Sequence, residues 1–124
     1  MFNIVLFFLF LIQKNITPEL LNNLISQNTL KNTVILDVRT KSEVDESYIP
    51  NSININFYDN NFDSAISMLD KELTYYVYCR SGNRSSQTVE KLKSLGFEKA
   101  FNLEGGIALL KEKGFLTKKK RLIL

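Results

Sequence analysis

Short apolar runs alternate with helix-like stretches along almost the whole of this chain, and that alternation limits the folds open to it. Thr33, Val34, Ile35 and Leu36 form one run, bounded by Asn32 and Asp37; Tyr75 to Tyr78 form a second, and residues 99–102 a third. Runs this short and apolar, closed by polar residues, read as buried strands. Between them lie helical patterns. Thr17 reads as an N-cap, with Pro18 at the first helical position, Glu19 in the first turn, and Leu20, Leu21, Leu24 and Ile25 at helical spacing, ending near Asn28. Thr40 is placed to cap a short helix through Asp45, and Ala65, Ile66, Met68 and Leu69 suggest another. Residues 85–95 form a longer helix with Val89, Leu92 and Leu95 inward and Gly96 as C-cap, and residues 107–113 a last one, stopped by Gly114. Residues 53–57 alternate apolar and polar, as a half-covered or edge strand does. Strands alternating with helices predict an α/β fold, a central parallel sheet covered by helices on both faces. Such sheets bind their ligands beyond the carboxyl ends of the strands.

Cys79, the single cysteine, stands at such an end. It follows the run ending at Tyr78 and precedes Arg80, Ser81, Gly82, Asn83, Arg84 and a helix. The junction offers unpaired N–H groups of a first helical turn, the positive end of a helix dipole and two guanidinium groups. Each favours thiolate over thiol and marks Cys79 as a nucleophile. The plain alternative is a small hydrophobe ending a buried strand. The chain has no histidine, so no imidazole serves as general base and a Cys-His dyad is excluded. One cysteine without histidine also leaves no zinc-ligand set of the usual kinds and no intramolecular disulfide. The chemistry calls for no cofactor.

With 124 residues, 44% of them hydrophobic and 23% charged, the chain has the composition of one folded domain. Its net charge of +3 owes much to Lys118, Lys119, Lys120 and Arg121, a cluster at one end rather than a basic face, so nucleic acid is not the expected partner. Three parts are expected: an apolar segment 1–14, a domain 15–115 and a basic tail 116–124. Residues 2–12 are apolar except for Asn3, too short to span a bilayer comfortably but matched to the hydrophobic region of a signal peptide. No Lys or Arg precedes the run, and no small-x-small cleavage site follows it. Export, to a periplasm or as a membrane-anchored protein, is the expectation from this segment; a short buried element of a cytoplasmic protein is the alternative. The tail is read as a solvated terminus, with contact to an anionic membrane as its other reading.

Four stretches together resemble a single-domain rhodanese, a sulfurtransferase module: Ile-Leu-Asp-Val-Arg-Thr at 35–40, Tyr-Ile-Pro-Asn-Ser-Ile-Asn-Ile at 48–55, Val-Tyr-Cys-Arg-Ser-Gly-Asn-Arg-Ser at 77–85, and Asn-Leu-Glu-Gly-Gly-Ile at 102–107. They occur in the family's order, and the likeness runs from about Ile16 to Gly114. The resemblance implies that Cys79 takes a sulfane sulfur from a small anionic donor such as thiosulfate, becomes a persulfide, and passes the sulfur to cyanide, a thiol or a partner protein. It implies a substrate-binding set of Arg80, Ser81, Gly82, Asn83, Arg84 and Ser85, whose amides form a nest around the sulfur, with the two arginines orienting the anion. Gly82 relieves the steric limit on a tight curve. Arg39 joins the set as a substrate contact or an ion-pair partner; Asp37 reads as structural, and Glu104-Gly105-Gly106 as a loop that approaches the site closely.

The chain departs from the family in two places. Tyr48 stands where a histidine is common, and Ala108-Leu109 where a bulky aromatic often follows the two glycines, which alters the pocket wall. Two rivals accompany the sulfurtransferase reading. Phosphatases and arsenate reductases of the same fold separate Cys and Arg by five residues, but Cys79 and Arg84 enclose four, a loop better sized to sulfur than to a tetrahedral phosphate. A non-catalytic binding module is the other, and such modules usually lose the cysteine.

Overall fold

The central strand of the sheet runs from Thr74 to Tyr78, and its alternating side chains divide the core in two. Successive residues of a strand point to opposite faces. Tyr75 and Val77 pack on one side with Leu36, Phe62, Ile66, Val89, Leu92, Phe97 and Cys79. Tyr78 packs on the other with Ile16, Leu21, Ile35, Ile49, Leu103, Ile107 and Leu110. Full burial of each such aliphatic or aromatic side chain contributes ~1.5–3 kcal/mol.

The computed structural model describes residues 14–115 and 117–118. In chain order these form β1 (Asn15–Ile16), α1 (Pro18–Ser26), β2 (Thr33–Asp37), α2 (Lys41–Glu46), β3 (Ile53–Asn54), α3 (Phe62–Ser67), β4 (Thr74–Tyr78), α4 (Asn83–Ser94), β5 (Ala100–Leu103) and α5 (Gly106–Glu112). The five strands make one parallel sheet in the order β1-β5-β4-β2-β3. Helices α3 and α4 supply core residues to one face, α1 and α5 to the other, so the α/β architecture read from the alternation is the one found. The apolar segment predicted as an export signal lies outside the described residues, and so does the basic tail apart from residues 117 and 118. Lys118 exchanges two backbone hydrogen bonds of 2.8 Å with Tyr48, so at that exposed residue the backbone is paired to the domain. No helix among the described residues is long and apolar enough to cross a membrane.

Several local readings change. The apolar stripe of α4 does not include Leu95, which is 37% exposed; Phe97 fills the core in its place, at 1%. Helix α4 closes at Leu95, and the amides of Gly96 and Phe97 donate to the carbonyls of Lys93 and Leu92. That pair of bonds is a Schellman closure, whose habit is to fold the second residue past the cap back onto the helix. Leu20 likewise faces outward, and Met68, a cap residue of α3, is exposed. The alternating stretch 53–57 is a strand only at Ile53–Asn54, at the sheet edge. Beyond it Ile55 and Phe57 still donate to the carbonyls of Asp37 and Val38, while the side-chain amide of Asn54 takes those of Asp37 and Arg39. Strand β1 escaped the sequence reading, because two residues carry no periodicity; its partner is β5, at Asn102 and Leu103.

Candidate active site

Strand β4 ends at Tyr78, in the middle of the sheet, with β2 on one side and β5 on the other. Cys79 follows directly and is 1% exposed. The chain then turns sharply enough to start α4 at Asn83, which requires Gly82 at φ 112°, a region closed to most side chains. The turn aims the Gly82 amide at the Cys79 sulfur, to which it donates at 3.1 Å; the Ser85 hydroxyl lies 3.3 Å from the same atom. Burial opposes ionisation of the thiol and is the largest single influence on it. The Ser85 hydroxyl, and the amides of Ser85, Gly82 and Ser81, together outweigh that opposition and bring the thiol below its ordinary value. Activation therefore comes from the loop's own amides and one hydroxyl.

Ser85 is itself buried and donates to Asn102 Oδ1 of β5 at 2.5 Å. Asn102 in turn donates through Nδ2 to Asn15 Oδ1 of β1 at 3.3 Å. The other expected site residues divide by what they touch. Arg84 donates from both terminal nitrogens to the two carboxylate oxygens of Glu43 in α2, at 2.8 and 2.9 Å, and its guanidinium lies 5.6 Å from the Tyr58 ring centre. The Arg84 bonds, against some burial and with help from Thr40, hold the Glu43 carboxyl down to about 2. Arg84 is correspondingly raised by Glu43. Asn83 accepts from Gln87 one turn along α4, and Arg80 and Ser81 are exposed.

Arg39 is only 3% exposed. Its Nε and Nη2 bond the carboxylate of Asp37 at 2.7–3.2 Å, Nη2 also reaches the Ser47 carbonyl at 2.7 Å, and Nη1 the Glu43 carbonyl at 3.3 Å. Burial works against its charge, and Asp37 more than restores it. Of the two roles expected for Arg39, the structure shows the ion pair, with protein acceptors on each of its three nitrogens.

From the far side, the turn between β5 and α5 closes on the loop. The amides of Ile107 and Ala108 donate to the carbonyls of Cys79 and Arg80, both at 3.0 Å. A Cβ on Gly106 would overlap the Arg80 carbonyl, so only glycine lets the two segments approach this closely. Beside them opens a cavity of about 380 Å³ walled by Arg39, Glu43, Glu46, Ser47, Arg80, Ile107, Ala108 and Lys111. Ala108, in place of a bulky aromatic, lies on that wall.

A cysteine held by loop amides at the carboxyl edge of a parallel sheet is what the four sequence stretches implied, and residues 17–113 match the family model of the rhodanese-like domain. The chain belongs to the rhodanese-like domain family. Among curated relatives, a sulfurtransferase of Allochromatium vinosum is 30% identical over 77 residues, covering 62% of this chain and 70% of that protein. An adenylyltransferase and sulfurtransferase of Debaryomyces hansenii is 34% identical over 93 residues, which are 69% of this chain but 21% of that longer protein. The chain thus spans about a fifth of that relative. Among solved structures, a rhodanese-related protein from Thermoplasma volcanium superposes with a TM-score of 0.72 at 30% identity, over 85% of this chain and 97% of that one. Both of these curated relatives carry sulfurtransferase in their names. Sequence reasoning missed Glu43, Asn102 and Tyr58 as parts of the site. Glu43 carried one usable signal, its position as the third residue after Thr40, where a capping box puts an acid.

Proposed function

We propose that the protein moves a sulfane sulfur from an anionic donor such as thiosulfate to a thiophilic acceptor, either cyanide, a thiol or a partner protein, through a persulfide on Cys79. The Cys79 thiolate attacks the outer sulfur of thiosulfate. A sulfur–sulfur bond forms to Cys79 as the one within thiosulfate breaks, and sulfite leaves with the electron pair. The acceptor then attacks the outer sulfur of the persulfide, and the thiolate leaves unchanged. No proton has to be taken from the donor, which suits a chain without histidine. The observation that carries this reading is the setting of the sulfur, with the Gly82 amide donating to it at 3.1 Å and the Ser85 hydroxyl oxygen 3.3 Å away, in a loop with four residues between Cys79 and Arg84. Arg80, exposed at the mouth of the loop, is the cation available to an incoming anion.

Incubation with thiosulfate is expected to add the mass of one sulfur atom to the intact protein. Cys79→Ser is expected to abolish both that adduct and thiosulfate:cyanide activity. Full activity in this variant would end the proposal, and hydrolysis of an aryl phosphate by a wild type inert to thiosulfate would favour the phosphatase alternative. Export or membrane anchoring through residues 2–12 is a separate proposal, supported by their apolar run. An intact N-terminus on a protein recovered wholly in the cytoplasmic fraction would overturn it.

A further inference from the structure

Ser85 has one hydroxyl proton and two neighbours that want it. The serine is wholly buried in the first turn of α4, so no solvent supplies a substitute donor. Its oxygen lies 2.5 Å from Asn102 Oδ1 and 3.3 Å from the Cys79 sulfur. The first contact is at the short, strong end of the range for hydroxyl donors. With the proton on that side, the lone pairs of Ser85 face the sulfur, and Ser85 can only accept from an S–H group. A thiolate has no proton to give and needs Ser85 as a donor. Ionisation of Cys79, with its proton released to water, therefore asks the hydroxyl to leave Asn102.

We propose that Asn102 is a positioning residue for the nucleophile, competing with Cys79 for the hydroxyl proton of Ser85. The part of the thiol's activation that comes from the Ser85 hydroxyl, as distinct from its amide, is available only when Asn102 yields. Asn102 is 8% exposed and its amide is steadied by the bond from Nδ2 to Asn15, so the competition is fixed by two strands, β5 and β1, neither of which carries the cysteine. Once sulfur is loaded, the inner sulfur of the persulfide is neutral and a weak acceptor, and the Ser85 proton returns to Asn102. The relay thus favours Ser85 as a donor to sulfur only in the ionised, unloaded state.

No member of the relay is charged. The charged groups around it are Arg80 in the loop, Arg84 of α4 with Glu43 of α2, the Asp37–Arg39 pair at the end of β2, Glu104 ahead of α5, and Lys14 beside Asn15, paired with Glu90 of α4. All are retained in the test variants, so their contribution to the thiol is common to each.

The inference rests on Cys79 being the nucleophile, and its test uses alkylation of the thiol rather than sulfur transfer. With a single cysteine, the rate of iodoacetamide addition to the full chain against pH reads Cys79 alone. Asn102→Leu is expected to lower the midpoint by roughly one pH unit, the effect of one ordinary hydrogen bond. Ser85→Ala is expected to raise it, and the double variant to match Ser85→Ala. Asn102→Ala, and more weakly Asn15→Ala, carry the same sign as Asn102→Leu and serve where leucine disrupts the fold. An unchanged or raised midpoint in the Asn102 and Asn15 variants would overturn the proposal. So would a downward shift that persists in the Ser85→Ala background. Failure of thiosulfate to load the wild type bears on the sulfurtransferase reading and leaves this result standing.

Discussion

Glu43 takes the charge of Arg84 and in doing so changes what that arginine does. A guanidinium held by both oxygens of one carboxylate, at 2.8 and 2.9 Å, anchors the start of α4 to α2 and steadies the loop. The sign of the pH effect follows from Glu43, whose carboxyl is held down to about 2 in the folded protein. A depressed folded value means the bond stabilises fully above the unfolded value of ~4.3 and loses its contribution as pH falls from there toward 2. Glu43→Gln is therefore expected to lower stability by about 1 kcal/mol at pH 7 and by progressively less below pH ~4. Urea denaturation of both proteins across that range measures it; a gap that stays constant down to pH ~2.5 would remove the ion pair as its cause.

The turn from β5 into α5 is the element that seats the loop from behind, and Gly106 is its narrowest point. Gly106→Ala meets both a positive φ of 62° and the Arg80 carbonyl, whereas Gly114→Ala meets a positive φ of 76° in open space. The strain shared by both is ~1–3 kcal/mol. Only Gly106→Ala is expected to cut sulfur transfer, by about tenfold or more, since a small displacement of catalytic groups costs that much. Equal activities in the two variants would show that the close approach does not matter. At this scale much was readable in advance. Thr17, Pro18 and Thr40 mark helix starts by local bonds that sequence displays directly. Closures made by chain reversal were not readable in the same way. Leu95 continues the helical period, but the Schellman turn brings Phe97 inward instead. The two-residue strand β1 exists through its neighbour β5, which no local pattern records.

Across the whole molecule, the strand order brings the ends of β2 and β5 to either side of β4, and so joins residues far apart in sequence around Cys79. The candidate nucleophile and its loop stand out in the sequence because they are contiguous, six residues between Tyr78 and Ser85. The roles of the arginines do not, because each depends on a partner that sequence does not pair with it. The structure sorts them. Arg39 is buried against Asp37, Arg84 is latched by Glu43, and Arg80 makes no ion pair among the described residues and stands on the cavity wall. Removing one partner of a buried pair leaves an uncompensated charge at a cost of ~3–5 kcal/mol. Arg39→Met is accordingly expected to lower the melting temperature sharply while the folded fraction keeps a KM for thiosulfate near that of the wild type. Arg80→Ala is expected to do the reverse, raising KM about threefold to tenfold as an exposed charge-assisted contact is lost, with melting unchanged. Melting curves and steady-state kinetics on the two variants test the division together. A stable Arg39→Met protein with raised KM would put Arg39 among the donor contacts and undo the separation of structural from functional charge.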